Sequence, residues 1–197
     1  ANVAIAIENS RLFSEVQELA VTDPLTGLYN RRKLIDLGES EFHRSTRYER
    51  QLSAIMLDCD LFKHINDTYG HTVGDQVLRK LSEIALNTIR KADILGRYGG
   101  DEFMILLPET GPEAALKAAE RLRFDVNSTL FTTNAGNLHF SISVGVASLD
   151  QDVHNLGELL DRADYASYVS KDSGGNRVTI WSPHLARRGW RPPQDRR

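Results

Sequence analysis

The segment that decides the fold is ILGRYGGDEFMILL, residues 94–107, in which Gly99-Gly100 joins two apolar stretches. Two successive glycines tolerate the backbone of a tight turn, so the pattern predicts a β-hairpin. Asp101 and Glu102 follow the turn and begin the return strand. Because successive strand side chains point to opposite faces, these two carboxylates can approach one ion only if the hairpin tip is distorted. The glycines also leave the backbone at the tip open to a ligand.

On either side of the hairpin, helical and strand patterns alternate along the chain. Short apolar or alternating runs predict strands at 52–57, 138–148 and 176–181. Apolar residues at helical spacing predict helices at 31–49, 60–69, 112–127 and 156–172, and a long helix after residues 71–74. An antiparallel hairpin among these elements predicts an α+β fold that is sandwich-like, with a central, mostly antiparallel sheet and flanking helices.

The two ends of the chain differ from the predicted domain at 21–181. Residues 1–20 contain neither Pro nor Gly and predict an N-terminal helix with a seven-residue seam formed by Ile5, Asn9, Leu12, Val16 and Leu19. Such a seam indicates a short coiled coil that pairs two chains, although an amphipathic helix packing on its own domain has the same pattern. Asp23-Pro24 ends the seam and would suit the cap and first turn of a new helix. Residues 182–197 are rich in Arg and Pro, and we expect them to be disordered.

The composition excludes several classes of protein. Lys and Arg total 24 and Asp and Glu total 27, which gives a net charge of −3 over 197 residues. This balance argues against a general nucleic-acid binder, but not against a phosphorylated ligand that binds together with magnesium. Cys59 is the one cysteine, which excludes an internal disulfide framework and fits a reducing cytoplasm. We expect no membrane segment, because no apolar run approaches the ~20 residues of a membrane span.

Acidic residues follow two predicted strands. Asp58 and Asp60 come after the strand at 52–57, and Asp101 and Glu102 come after the hairpin turn. Carboxylates at adjacent strand ends form a hard-oxygen site that suits magnesium. Any one of these acids alone would more often be a turn or cap residue in water. The set, however, brackets apolar strands, which favours a shared metal site.

Six motifs in one order give the chain a family resemblance. They are DPLTGLYNRR (23–32), DCDLFKHIND (58–67), GHTVGD (70–75), RYGGDEF (97–103), SVGVA (143–147) and KDSGGNR (171–177). Over residues 21–181 the chain resembles the GGDEF domain of diguanylate cyclases. The resemblance implies a fold related to adenylyl cyclase and polymerase palm domains. It also implies a reaction in which a homodimer condenses two GTP into cyclic di-GMP and two pyrophosphates, with Mg²⁺ or Mn²⁺ as the cofactor.

The resemblance assigns roles to residues near the acidic tip. Asp58, Asp101 and the backbone carbonyl of Cys59 would bind the metal, with Glu102 nearby. Asp101 would also be the base that takes the proton from the ribose 3′-hydroxyl. Lys63 would stabilise charge on the phosphates, although a solvated helix lysine is the ordinary reading of that position.

Further residues would bind the substrate. Asn66 and Asp75 are similar to the guanine-binding pair, and a carboxylate can indeed accept hydrogen bonds from N1–H and N2–H of guanine. His71 lies between them and resembles a substrate contact. Lys171 resembles a phosphate ligand, as do the open backbone positions Gly99 and Gly100. Without the resemblance, Asn66 would be a turn residue and Asp75 a helix cap.

The chain departs from the family pattern at one phosphate position. The common run Lys-x-x-Gly-Arg-Asn is here Lys171-Asp172-Ser173-Gly174-Gly175-Asn176, so Gly175 stands where the family has Arg. Arg177 is close, but on a regular strand its side chain would point elsewhere. The substitution therefore bears on phosphate affinity and not on the reaction.

A second site is implied by Arg90 and Asp93. Arg90 lies nine residues before Gly99, in the register of the family's inhibitory site for cyclic di-GMP, and Arg121 would contribute to that site. An arginine fork suits guanine or phosphate. The alternative is that Arg90 interacts with a helix C-terminus and Asp93 with a turn.

Three functions remain open from the sequence. The first is an active cyclase. The second is a receptor that binds GTP or cyclic di-GMP without turnover, and the third is a cyclase that makes another product. Residues 1–20 also look like the last helix of a GAF sensor domain, so an upstream GAF domain is an expected partner.

Overall fold

Strands and helices alternate through the residues that the computed structural model describes, 21–133 and 136–186. The strands are β1 (Leu52–Cys59), β2 (Ile94–Gly99), β3 (Glu102–Pro108), β4 (Phe131–Thr133), β5 (Gly136–Leu138), β6 (Ile142–Ser148) and β7 (Arg177–Ile180). The helices are α1 (Arg31–Arg47), α2 (Phe62–Tyr69), α3 (His71–Thr88), α4 (Pro112–Ser128), α5 (Leu156–Asp172) and α6 (Pro183–Ala186).

The central sheet has the order β2-β3-β1-β6-β7, and β4 and β5 form a separate hairpin. The β2–β3, β3–β1 and β1–β6 pairings are antiparallel, whereas β6 and β7 are parallel. The predicted hairpin at 94–107 and the α+β class with a mostly antiparallel sheet are therefore confirmed. β1 is the middle strand of the sheet, and its carboxyl end lies between the hairpin tip and the start of β6.

Helices cover both faces of the sheet. Ile55, Leu57 and Cys59 of β1 pack with the apolar faces of α3 and α4, whereas Ala54 and Met56 pack with α1 and α5. This alternation follows from the period of two along a strand. The same parity places the next even-numbered residue of β1, Asp58, on the side of the sheet that α5 covers.

The structure corrects three expectations from the sequence. The strand expected at 138–148 is interrupted after Leu138, because Ser141 turns to the loop after β1, where it accepts a hydrogen bond from the Asp60 backbone N–H at 2.9 Å. Asp23-Pro24 begins a turn and not a helix, since the Asp23 carboxylate accepts hydrogen bonds from both the N–H and the hydroxyl of Thr26. At the other end, Pro183–Ala186 of the expected disordered tail form a helical turn.

Gly145 lets α5 lie directly on the backbone of β6. A Cβ atom at this position would lie 2.0 Å from the Ala163 carbonyl oxygen and 2.1 Å from the Ser167 nitrogen. The hydroxyls of Ser167 and Ser170 also donate to carbonyls of β6, at 3.3 and 2.8 Å. This close approach fixes the C-terminal end of α5 beside the end of β1.

Replacing Gly145 by alanine is therefore expected to destabilise the domain by about 3 kcal/mol, because the new methyl group meets helix backbone that cannot move independently. Urea unfolding followed by circular dichroism measures the change. Gly157→Ala is the matched control, since there the methyl group meets only the side-chain oxygen of Asn155, at 3.0 Å. Equal unfolding midpoints for the two variants would contradict this account of the contact between α5 and β6.

Candidate active site

The end of β1 meets the hairpin tip at the acidic site. Asp58 lies directly opposite Glu102 in the β1–β3 pairing, and the Cys59 backbone N–H donates to the Asp101 carbonyl oxygen at 3.3 Å. The distortion that the sequence analysis requires is present, because the β2–β3 register shifts between Arg97 and Gly99. Asp101 therefore lies close enough to Asp58 for the two charges to repel each other.

Lys171 brings a positive charge to these carboxylates from the C-terminal end of α5. Its Nζ atom lies 2.6 Å from Oδ1 of Asp58. The pKa of Asp58 is raised to about 6, chiefly by burial and also by the charges of Asp101 and Glu102, against the hydrogen bond and charge of Lys171. Burial lowers the pKa of Lys171, but the hydrogen bond and charge of Asp58 outweigh burial and leave it raised. Asp58 is thus a carboxylate whose negative charge lacks full compensation.

Glu102 lies in the same acidic cleft. Burial, the charge of Asp164 and the charge of Asp101 all raise its pKa. A cavity of about 190 Å³ opens here between the sheet and α5, and its lining includes Asp58, Glu102, Asp164 and Lys171. Among the described residues, no three His, Cys, Asp or Glu side chains form a ready-made metal cage.

The hairpin tip is fixed by an ion pair that the sequence analysis did not identify. Arg97 donates from Nε and Nη2 to the Gly100 carbonyl oxygen, at 2.9 and 2.7 Å, and from Nη1 to both carboxylate oxygens of Asp23, at 3.2 Å. Burial alone would raise the pKa of Asp23, but the hydrogen bonds from Thr26 and Arg97 lower it. Asp23 and Arg97 each lie in one of the six family motifs, but nothing in the sequence indicates that the two residues form an ion pair.

The N-terminus of α2 faces the same end of the sheet. Leu61, the residue before α2, has a left-handed backbone with φ of 55° and makes no side-chain cap, so the first N–H groups of α2 have no intrahelical acceptor. Lys63 lies in this first turn and is exposed. A non-glycine residue at positive φ is uncommon and here directs a helix N-terminus to the site.

Asn66 and Asp75 are brought together by the close contact of α2 and α3. A Cβ atom on Gly74 would lie 1.9 Å from Oδ1 of Asn66, and this buried oxygen has no hydrogen-bond partner in the part of the chain that the structure describes. Asp75 is the next residue of α3 and is half-buried. His71 begins α3 and is exposed, so the structure places all three on adjacent turns.

Asp60 proves to be a structural residue. Its carboxylate accepts hydrogen bonds from the hydroxyls of Ser141 and Ser143, each at 2.6 Å, and from the Asn176 backbone N–H at 2.8 Å. With three donors bound, it does not join Asp58 in the acidic cleft, contrary to the set of acids considered from the sequence. It instead holds the turn after α5.

A tight turn precedes Arg177, whose side chain the sequence analysis expects to point away from the phosphate position. Gly174, Gly175 and Asn176 have φ values of 108°, 73° and 47°, so three consecutive residues have left-handed backbone. This turn folds Arg177 back, and its Nε atom donates to the Gly175 carbonyl oxygen at 3.2 Å.

Arg90, Asp93 and Arg121 lie together at the other end of β2. The Asp93 carboxylate accepts from the Arg90 backbone N–H at 2.7 Å, and Arg121 donates from α4 to the Thr88 carbonyl oxygen at 2.5 Å. Burial raises the pKa of Asp93, against the hydrogen bond and charge of Arg90 and the charge of Arg121. The residues form an exposed basic patch, about 17 Å from the hairpin tip along β2.

Two expectations concern residues beyond this site. The N-terminal helix at 1–20, with its coiled-coil and GAF interpretations, and residues 187–197 of the tail lie outside the described residues. None of the described helices combines the length and the apolar character that crossing a bilayer requires.

Comparison with known proteins identifies relatives for most of the chain. The family model described as "Diguanylate cyclase, GGDEF domain" matches residues 20–177. The response regulator PleD of Caulobacter vibrioides is 42% identical over 163 residues, which cover 82% of this chain and 36% of PleD. Diguanylate cyclase A of Treponema denticola is 38% identical over 185 residues, 92% of this chain and 49% of that protein. The chain thus spans half or less of these relatives.

Solved structures share the fold. The coiled coil and GGDEF domain of DgcB from Caulobacter crescentus, in complex with c-di-GMP, has a TM-score of 0.83 at 28% identity and covers 91% of this chain and 95% of that one. The GGEEF domain of a diguanylate cyclase from Vibrio cholerae has a TM-score of 0.74 at 37% identity, covering 78% and 97%. With its acidic hairpin at one end of a mixed sheet, the chain belongs to the GGDEF domain family of diguanylate cyclases.

Proposed function

We propose that this domain condenses two GTP molecules into cyclic di-GMP and two pyrophosphates. One observation carries the proposal: Asp58, Asp101 and Glu102 lie close to Lys171 at one end of the sheet. Nζ of Lys171 lies 2.6 Å from Asp58. Anionic and cationic groups side by side suit a ligand that brings both divalent cations and phosphates. The similarity to diguanylate cyclases supports this reading over other phosphoryl chemistry.

Guanine would bind between α2 and α3. The buried Oδ1 atom of Asn66 has no partner in the described residues, and an unpaired buried polar atom costs about 1–3 kcal/mol. Guanine carries one hydrogen on N1 and two on its 2-amino group, so it can donate both to Asp75 and to Asn66 Oδ1 and would remove this cost. Adenine has an acceptor at N1 and no 2-amino group, so the pair favours GTP. His71, exposed at the start of α3, would contact the substrate from the side.

The triphosphate would lie between α2 and the end of α5. The uncapped N–H groups at the start of α2 and the charge of Lys63 suit anionic oxygens. Lys171 would approach from the opposite side, and Gly99 and Gly100 leave the hairpin backbone accessible. Lys63 therefore acts as a charge-stabilising residue and Lys171 as a phosphate ligand.

The donor set fits a divalent cation. Asp58 and Asp101 offer carboxylate oxygens and Cys59 a backbone carbonyl, with Glu102 in the same cleft, and Asp58 lacks full charge compensation. Mg²⁺ typically binds one or two carboxylates together with substrate phosphates, so a preformed protein cage is not needed. When bound, Mg²⁺ or Mn²⁺ would neutralise charge on the phosphates and on the leaving pyrophosphate.

The chemistry assigned to this chain is two displacements, each accompanied by its own proton transfer. Asp101 would accept the proton of a ribose 3′-hydroxyl, and that oxygen would form a bond to the α-phosphorus of the other GTP as the bond to pyrophosphate breaks. Repeating the step with the roles of the nucleotides exchanged closes the ring. Since each domain holds one GTP, two domains must face each other, and we propose a homodimer as the catalytic form.

Incubation with GTP and Mg²⁺, followed by chromatography of the products, tests this function. Cyclic di-GMP and pyrophosphate in a 1:2 ratio are expected. Unchanged GTP would instead indicate a receptor, and a different cyclic nucleotide would indicate another cyclase. Because the pairing of two chains depends on their concentration, the assay covers a wide range of protein concentration.

We further propose that cyclic di-GMP inhibits the enzyme at the patch of Arg90, Asp93 and Arg121. Arg90 is exposed, and its side chain makes no hydrogen bond or ion pair among the described residues. The hydrogen bond of the Asp93 carboxylate to the Arg90 N–H fixes this turn. A ligand with two guanines and two phosphates can be bound by arginine forks from the turn before β2 and from α4.

Arg90→Ala is expected to turn over GTP at the wild-type initial rate while losing inhibition by added cyclic di-GMP, with a shift of about tenfold or more in the inhibitory concentration. The adjacent exposed cation gives the control, Lys91→Ala, which should be inhibited like the wild type. Equal inhibition of Arg90→Ala and the wild type would remove this site from the proposal.

A further inference from the structure

We propose that Arg177 is a triphosphate-binding residue of this active site, supplied by the first position of β7. The inference rests on the proposed function in that GTP is the ligand. It concerns a residue whose position in a regular strand gave no reason to place it there. Four features of the structure carry it: the position of Arg177 in the sheet, the turn that holds it, its free N–H donors and the absence of an acidic partner among the described residues.

Arg177 lies in the same row of the sheet as the acidic residues. Glu102 pairs with Asp58, Asp58 pairs with Ser143, and Ser143 pairs with Arg177. Residues paired in this way share a face of the sheet. Arg177 is therefore on the face of α5, two strand spacings or about 10 Å from Asp58 in backbone position. Thr179, two residues further along β7, lies on the same face of the sheet, and its hydroxyl lies 2.7 Å from that of Ser170 on α5.

The turn between α5 and β7 holds the side chain of Arg177 back over residues 174–175. Three consecutive left-handed residues, 174–176, reverse the chain after α5, and the Asn176 N–H is held by the carboxylate of Asp60. Arg177 folds over this turn, since its Nη2 atom would lie 3.7 Å from a Cβ on Gly174. Asp60 lies two residues after Asp58, so its hydrogen bond to Asn176 fixes the turn that precedes Arg177 relative to the end of β1.

The guanidinium is available for a ligand. Its Nε atom donates to the Gly175 carbonyl oxygen, which leaves Nη1 and Nη2 as donors. Within 21–133 and 136–186, no carboxylate forms an ion pair with Arg177. A guanidinium with two parallel free donors matches the oxygens of a phosphate.

Position 175 itself is unsuited to a long cationic side chain in this conformation. Its φ of 73° disfavours any side chain, and a Cβ atom would lie 3.0 Å from the carboxylate of Asp60. Glycine at this position keeps the turn compact. The positive charge on this side of the cleft then comes from Lys171 and Arg177.

Binding of a non-hydrolysable GTP analogue, guanosine 5′-(β,γ-imido)triphosphate with Mg²⁺, tests the inference by titration calorimetry. Arg177→Ala is expected to weaken this binding about tenfold or more, Arg177→Lys to restore part of the affinity, and guanosine to bind both variants and the wild type equally. Arg123→Ala is the matched control, because Arg123 donates to Asn176 Oδ1 at 3.0 Å and supports the same turn. Its affinity for the analogue should equal that of the wild type.

Wild-type affinity of Arg177→Ala for the analogue would overturn the inference. So would an equal loss for the analogue and guanosine, or the same loss in Arg123→Ala, since these outcomes would make Arg177 a support of the turn. The titration does not depend on turnover. A wild-type protein that binds the analogue but makes no cyclic di-GMP would contradict the proposed function and still leave the role of Arg177 decided by the titration.

Discussion

Asp101→Asn is expected to reduce the formation of cyclic di-GMP by about 10³-fold or more. The substitution keeps the size of the side chain but removes both the proposed base and one of the carboxylates that would bind the cation, and general bases alone contribute about 10²–10⁴-fold. The loss should appear in kcat, measured from pyrophosphate release under saturating GTP and Mg²⁺. Asp101→Ala should behave in the same way.

A stability measurement separates this effect from misfolding. The charge of Asp101 repels that of Asp58 and raises its pKa, so removing it relieves a repulsion in the folded state. The thermal unfolding midpoint of Asp101→Asn should therefore equal or exceed that of the wild type. Asp36→Asn, an exposed acid on α1, is the charge-matched control and should keep full activity. Turnover at the wild-type rate in Asp101→Asn would show that the base is assigned to the wrong residue.

Asp75→Asn is expected to lower kcat/KM for GTP by roughly 10²–10⁴-fold, because two hydrogen bonds to a charged acceptor contribute about 1.5–3 kcal/mol each. The wild type should also discriminate against ITP, which lacks the 2-amino group of guanine. Asp75→Asn should lose most of this discrimination. Parallel assays of GTP and ITP, from initial rates at several substrate concentrations, measure both effects.

The control for this experiment is Asp67→Asn. Asp67 is exposed on α2, next to Asn66, and has no hydrogen bond or ion pair among the described residues. Its removal changes the net charge equally and should leave the ratio of GTP to ITP unchanged. If Asp75→Asn and the wild type discriminated equally between GTP and ITP, guanine recognition would have to lie elsewhere.

The hairpin shows what the sequence could predict. Gly99-Gly100 indicated a tight turn, and the requirement that Asp101 and Glu102 approach one ion indicated a distorted tip. The register shift between Arg97 and Gly99 provides that distortion. The prediction succeeded because turn preferences and strand alternation are local properties that a short run of residues determines.

Asp60 and Arg177 show where such local reasoning fails. Asp58 and Asp60 have the same parity, so alternation places them on one face, but β1 ends at Cys59 and the left-handed Leu61 turns the chain away. Arg177 begins β7 in regular pairing, but the position of its side chain also depends on the turn before it, which Asp60 holds from far away in sequence. Contacts between distant segments decided both positions, and no spacing in the sequence encodes them.

The ion pair of Asp23 with Arg97 joins segments that are 74 residues apart, and its other end holds the Gly100 carbonyl oxygen. The first turn of the described chain and the acidic tip therefore share one rigid connection that bypasses the sheet. A rotation of the backbone at Asp23 would be transmitted through the Arg97 side chain to the peptide group that joins Gly100 and Asp101. We therefore expect a torque at the amino-terminal end of the described domain to change the orientation of Asp101, the carboxylate that we propose as the base.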